Sequence, residues 1–320
     1  MVAMRASHHM KNPDFPAMQT RHRLACRPAG RRAGLALAAA LLAAFLAALA
    51  GCAGTPPATV AGDVAHQFTG KTYVLLGEVH DNADGQKRRL LALSSALAAG
   101  WRPAIAMEQF DRERQPDIDR ARRERPGDAA YVVAQAGGKG WQWELYTPVV
   151  ALALQYDLPL VAANLSRADA GRIVRGGLDG VFEPAERQRL GLAAPLPADV
   201  VSEQTAVLDR GHCGNFPKAM LPGMLDAQAA RDAVMAAAMR AYADRGAVLI
   251  AGNGHVRRDV GAPRWLAAEP GKIYSVGYLE QAGAGEVGEY DRVVLVPARK
   301  RPDPCQDARP GAGTAPAGMG

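Results

Sequence analysis

Six short apolar runs punctuate the chain, at 73–76, 104–107, 160–163, 248–251, 273–276 and 293–296, each bounded by turn-forming residues. None alternates with polar positions, so each reads as a strand covered on both faces, as in a parallel sheet. Between the early runs the pattern is helical. Residues 86–98 place Leu90, Leu93 and Leu97 on one face, and 148–156 begins with Pro148, a residue that helices accept in their first turn. From 168 to 245 the strand signal stops, and 183–192, 200–208 and 219–244 read as helices. Met220, Met224, Met235 and Met239 fall near one face of the longest, which predicts core packing. The fold class is therefore α/β, a mainly parallel sheet flanked by helices, spanning 68–167 and 246–297 with a smaller helical subdomain over 168–245.

The N-terminus follows another pattern. Arg21, Arg23, Arg27, Arg31 and Arg32 precede an uncharged apolar stretch over 35–50, which reads as an export signal and is short for a membrane span of about 20 residues. It ends in Leu49-Ala50-Gly51-Cys52, which resembles a bacterial lipobox. Residues 1–51 are thus expected to be a lipoprotein signal peptide, with Met18 a more ordinary start. Cys52 would receive the lipid and 52–67 would be a flexible tether. Ala53 after the cysteine favours the outer membrane of a Gram-negative cell, periplasmic face, lipid-anchored. Cys26 leaves with the signal, so Cys213 and Cys305 remain to form a disulfide in an oxidising compartment. Residues 298–320, rich in Pro, Gly and Ala, read as a disordered tail.

Charge narrows the partners. The formal charge is +6, but 1–51 holds seven basic residues and one acid, leaving 31 of each sign in the remainder. The body is electrically neutral, which speaks against nucleic acid as a partner.

Four apolar runs end in groups able to do chemistry: Gly77-Glu78-Val79-His80, Glu108, Asn164, and Gly252-Asn253-Gly254-His255. In an open parallel sheet the carboxyl ends of the strands line one crevice, where ligands bind. Glu78, His80, Glu108 and His255 could bind a divalent metal, with one glutamate left as a general base, or orient a bound cofactor. P-loop, serine-hydrolase and zincin motifs are absent, and so is the C-x-x-C-H of covalent haem attachment.

Gly77-Glu78-Val79-His80-Asp81-Asn82, Met107-Glu108-Gln109-Phe110, the Trp-x-x-Tyr-x-Pro element over 143–148, Ala163 to Arg167, Gln228-x-x-Arg231-Asp232 and Gly252-x-Gly254-His255-x-Arg257 together resemble the ChaN-type haem-binding lipoproteins. Those belong to a superfamily shared with erythromycin esterases and Tiki-type proteases. The resemblance implies non-covalent haem near the C-terminal edge of the sheet, a tyrosine axial ligand, a homodimer formed on haem binding, a role in haem and iron uptake, and an outer-membrane haem receptor as partner. Carried onto this chain, the haem-binding set is Glu78, His80, Glu108, Tyr146, Asn164, Arg167, His255 and Arg257. Tyr146 is the chosen ligand, with Tyr131, Tyr156, Tyr274 and Tyr278 as rivals; a Tyr146 ring packed on tryptophan with its hydroxyl satisfied is the competing reading. Arg167 or Arg257 would meet a propionate. A His-His pair common after the Asp-Asn is missing here, where Asp84-Gly85-Gln86 stands. The alternative function is a hydrolase of esterase or protease type using Glu78, His80, Glu108 and His255; a third is a scaffolding lipoprotein without ligand.

Overall fold

Strands β1 (Tyr73–Leu76), β2 (Ala104–Asp111), β3 (Leu160–Asn164), β4 (Ala247–Ile250), β5 (Ile273–Leu279) and β6 (Arg292–Leu295) form one sheet of order β3-β2-β4-β1-β5-β6, with every pairing parallel. The computed structural model describes residues 64–266, 271–280, 288–302 and 305. The signal sequence, the lipobox with Cys52 and most of the tether lie outside them. At the tether's end Val64 and Ala65 are buried in the core, so the packed domain begins before residue 68.

Nine α-helices are described: α1 (Ala83–Ala98), α2 (Gln115–Glu124), α3 (Ala129–Ala136), α4 (Trp143–Gln155), α5 (Arg167–Gly176), α6 (Pro184–Leu190), α7 (Ala198–Gly211), α8 (Leu221–Arg240) and the single turn α9 (Asn253–Val256). One face of the sheet, with Val74, Leu76 and Val248, packs on Leu93 and Leu97 of α1 and Val149 and Val150 of α4. The other, with Leu75 and Leu249, packs on Met235 and Met239 of α8. Apolar residues on both sides explain why the strands show no alternation. The methionine row divides, since Met235 and Met239 are core while Met220 is exposed. The first half of α8 packs instead with Ile173, Phe182 and Leu190 in a separate apolar cluster. Gly223 lets α8 approach α5 closely: a Cβ there would stand 2.3 Å from the carbonyl oxygen of Val174.

Sequence periodicity misses α2 and α3. In α2 only Ile118 and Ala121 are buried, so charged residues dominate its pattern. Helix α4 starts five residues before Pro148, which sits inside it at the loss of one backbone hydrogen bond.

Two devices finish the edges. Gln115 lies beside the outer edge of β3, where its amide donates to Leu160 O (3.0 Å) and accepts from Ala162 N (2.7 Å), imitating a neighbouring strand. After β6, residues expected in a disordered tail are held down. Arg301 pairs with Asp81 and Glu280, Arg299 donates to Asp81 O (2.8 Å), and Cys305 is bonded to Cys213 at the end of α7.

From β1 the chain leaves through α1 on one face, and from β4 it leaves through α9 on the other. The neighbouring ends of β1 and β4 are therefore a topological switch point, the place where open α/β sheets bind ligands.

Candidate functional site

Glu78 and His80 follow β1, Glu108 lies in β2, Asn164 ends β3, and Gly252 and His255 follow β4. Glu78 is the hub. It is buried, and it accepts from Gln86 Nε2 (3.0 Å), Gln109 Nε2 (3.2 Å), Tyr146 OH (2.6 Å) and the guanidinium of the fully buried Arg89. His80 Nδ1 stands 2.7 Å from Glu78 Oε1. Burial draws the Arg89 guanidinium down to about 10, still charged at neutral pH.

His80 differs from its neighbours in reaching solvent, with 49% of its side chain exposed. Its ring packs edge-on against Trp141 at 5.0 Å and lies over Gly252, where a Cβ would come within 3.0 Å of Cε1 and 3.1 Å of Nε2. Glycine at 252 lets that edge of the imidazole lie close against the backbone.

Behind His80 runs a second chain of polar groups. Asp232 Oδ1 is 2.7 Å from His255 Nδ1, His255 Nε2 is 3.7 Å from Glu108 Oε1, and Glu108 Oε2 accepts the Gly252 N–H at 2.7 Å. Burial pushes the Asp232 carboxyl up to about 6, against the pull of His255. Burial disfavours the charged His255, but the Asp232 and Glu108 carboxylates outweigh it and raise the imidazole above its ordinary value.

Two cavities meet at His80. One, of about 570 Å³, is bordered by Glu108, Lys139, Trp141, Asn164, Arg167 and Arg231. The other, of about 530 Å³, is bordered by Gln204, Leu208, Gln228, Gly252, His255 and Tyr290. Both are within the range of about 300–1,000 Å³ usual for cofactor sites. In the first, Asn164 links Asp111 (2.7 Å) to Arg231 (3.0 Å), while Lys139 and Arg167 make no ion pair among the described residues. Larger hollows beside α6 and α8 hold none of the strand-end groups.

Most of the expected residues thus meet, but several stand differently from expectation. Tyr146 borders the first cavity yet is fully buried among Trp141 and Trp143; its hydroxyl is turned to Glu78, and burial pushes it up to about 12. It is packed and satisfied, not presented to a ligand. None of Tyr131, Tyr156, Tyr274 and Tyr278 borders either cavity. Arg257 is enclosed by Glu203, Asp259 and Glu289, so its charge is spent within the protein. Glu78, covered by donors, has no lone pair to spare for a metal. Among the described residues no group of three or more His, Cys, Asp or Glu side chains is placed to hold a metal ion.

Sequence reasoning gave no role in the site to Gln86, Arg89 or Asp232. A signal existed for Arg89, which falls three and four residues from Gln86 and Leu93 on the buried face of α1. A charge in an apolar stripe needs a buried partner.

The sequence pattern of the family described as haem-binding uptake, Tiki superfamily, ChaN matches residues 64–266. The chain belongs to this family. A solved structure titled as cofacial haem binding to ChaN of Campylobacter jejuni is similar at 20% identity and a TM-score of 0.59, over 72% of this chain and 89% of that one. That likeness supports the ChaN-like fold. The type III effector HopBA1 (12% identity, TM-score 0.40, over 75% of this chain and 93% of that one) and an erythromycin esterase EreC mutant (13%, 0.36, over 73% and 78%) are more distant in shape. No curated protein matches the sequence. The residues of this ChaN-family chain fit haem: a half-exposed imidazole and an indole border the cavity, together with Lys139 and Arg167, which make no ion pair among the described residues.

Proposed function

We propose that this ChaN-family protein binds haem non-covalently in the cavity beside His80 and serves haem and iron uptake, anchored through Cys52 to the periplasmic face of the outer membrane. The observation that carries the reading is the cavity itself, at the switch point of the sheet, where aromatic surface meets cations that make no ion pair among the described residues. A bound haem brings an iron and two propionates. Lys139, Arg167 and Arg231 supply the positive charge that carboxylates need, and Trp141 supplies an apolar face. Cofacial haem, named for the Campylobacter jejuni protein, would place two copies of this chain face to face, in line with a homodimer formed on binding and handed haem by an outer-membrane receptor. Haemin titration followed by absorbance and sedimentation tests this. Saturable binding with a shift from monomer to dimer is expected; a linear, unsaturable response would overturn it.

A second reading, hydrolysis, is favoured by the Asp232–His255–Glu108 chain, which resembles a proton relay. Among the described residues no Ser, Thr or Cys borders either cavity, so the nucleophile would be water. Turnover of ester or peptide substrates that His255→Ala abolishes would establish it.

A further inference from the structure

We infer that helix α7 is a lid over the second cavity and that the Cys213–Cys305 disulfide latches it shut, so that entry from this side is set by the redox state of the bond.

Helix α7 is attached more weakly than the helices that face the sheet. Its buried side chains, Val200, Gln204 and Leu208, make one narrow stripe four residues apart. No residue of α7 belongs to any of the three buried apolar clusters that hold the rest of the fold. Polar contacts do much of the holding instead: Gln204 Nε2 donates to Val260 O (3.2 Å), Glu203 meets Arg257 (3.1 Å) and Asp199 meets Arg264 (3.5 Å). The seat is also imperfect, because the buried Gln204 Oε1 has no hydrogen-bond partner among the described residues and would regain one from water if the helix lifted. An element with so little apolar burial opens locally at far lower cost than the core. What it would uncover is the second cavity, which Gln204 and Leu208 border together with Gly252 and His255.

The covalent restraint sits at the end of this helix. Cys213 lies just beyond α7 and is bonded to Cys305, at the end of a segment anchored to the sheet. Val296 N donates to Leu279 O (2.8 Å), Asn82 Nδ2 to Pro297 O (2.9 Å), and Arg301 joins Asp81 (3.0 Å) to Glu280 (2.6 Å). Through the disulfide, α7 is thus tied to the residues that follow β1 and β5. While the bond is intact, α7 cannot swing away unless those hydrogen bonds also break. Both cysteines are only partly buried, which leaves the bond open to a reductant.

Release is an exchange with a dithiol. One thiolate of the dithiol attacks one cysteine sulfur, the S–S bond breaks, and its electron pair leaves on the other cysteine. The second thiolate of the dithiol then displaces the first cysteine from the mixed disulfide. The dithiol is oxidised to its own disulfide, and its two protons end on Cys213 and Cys305.

The test is amide hydrogen exchange and histidine modification by diethyl pyrocarbonate on the full-length protein. Three forms are compared: oxidised, reduced with dithiothreitol, and the Cys213→Ser/Cys305→Ser double variant, which separates this bond from Cys26 and Cys52. Breaking the bond is expected to speed exchange over 200–208 at least tenfold and modification of His255 at least threefold, and reoxidation should reverse both. Strand β4 and His80 serve as controls and should not change, since the strand is core and the His80 side chain is already 49% exposed against 15% for His255. Arg301→Gln, which keeps the disulfide but loosens its anchor, should act in the same direction by a smaller factor. Exchange over 200–208 that ignores the bond would overturn the latch. Equal acceleration in β4 would overturn it too, by showing a cross-link that merely stabilises the whole fold. Faster exchange in α7 with His255 unaltered would overturn the lid. None of these readouts uses haem, so the inference stands or falls apart from the haem reading.

Discussion

The Tyr146 hydroxyl donates to Glu78 Oε1 at 2.6 Å across 68 positions of sequence, joining α4 to the end of β1. The bond is buried and its acceptor is charged, so Tyr146→Phe is expected to cost about 1.5–3 kcal/mol of stability. Urea unfolding would measure it. A loss below about 0.5 kcal/mol would mean that the other donors to Glu78 make this one redundant.

Arg89 and Glu78 are both essentially inaccessible to solvent. Removing one member of such a pair strands the other charge, and Arg89→Met should destabilise the fold by about 3–5 kcal/mol. The double variant Arg89→Met with Glu78→Gln should recover part of that loss. If the double variant were less stable by the sum of the single losses, the pair would not be coupled as the structure has it.

Gly223→Ala drives a methyl into the backbone of α5, and the helices must separate to admit it. Overpacking of this kind costs about 1–3 kcal/mol. Thermal melts of this variant beside Gly171→Ala, where a Cβ would meet only the tip of Arg175, separate crowding from altered helix propensity.

The segment after β6 should respond to acid. Hydrogen bonds from Arg301, and from Asn82, hold the Glu280 carboxyl down to about 2. Its folded value lies below its ordinary one, so its contribution is complete above about 4.5 and fades as pH falls toward 2. Amide exchange at Arg299, whose N–H donates to Glu280 at 3.2 Å, should therefore accelerate through that window. Exchange independent of pH, once intrinsic rates are corrected for, would contradict the assignment.

The Cys213–Cys305 bond spans 92 residues of sequence. Disulfides typically stabilise a fold by about 2–4 kcal/mol. Neither thiol should label in native protein until reductant is added, and Cys213→Ser should lower the melting temperature. Two reactive thiols in unreduced protein would exclude the bond.

Much of the fold was legible because burial on both faces leaves a plain mark: the six apolar runs coincide with the six strands to within a few residues. What escaped were elements governed by few contacts, such as α2 with its two buried side chains, and polar residues whose meaning depends on a remote partner. Asp232 reads as one more charge on a helix until the chain brings it to His255. The strand-end residues Glu78, His80, Glu108 and His255 were legible as a cluster, because parallel topology alone gathers strand ends. Their division of labour was not, since it depends on which oxygen faces which nitrogen. Tyr146 shows this best: its place beside the cavity follows from the sequence, but the direction of its hydroxyl does not.

Gln115 has a consequence for assembly. Sheets with a bare outer strand can recruit another copy by continuing their ladder, but at Leu160 and Ala162 that ladder already ends in a side-chain amide. Two copies that met at β3 would find no shared register there. Any pairing of this protein at that flank must be built from side chains or around a ligand.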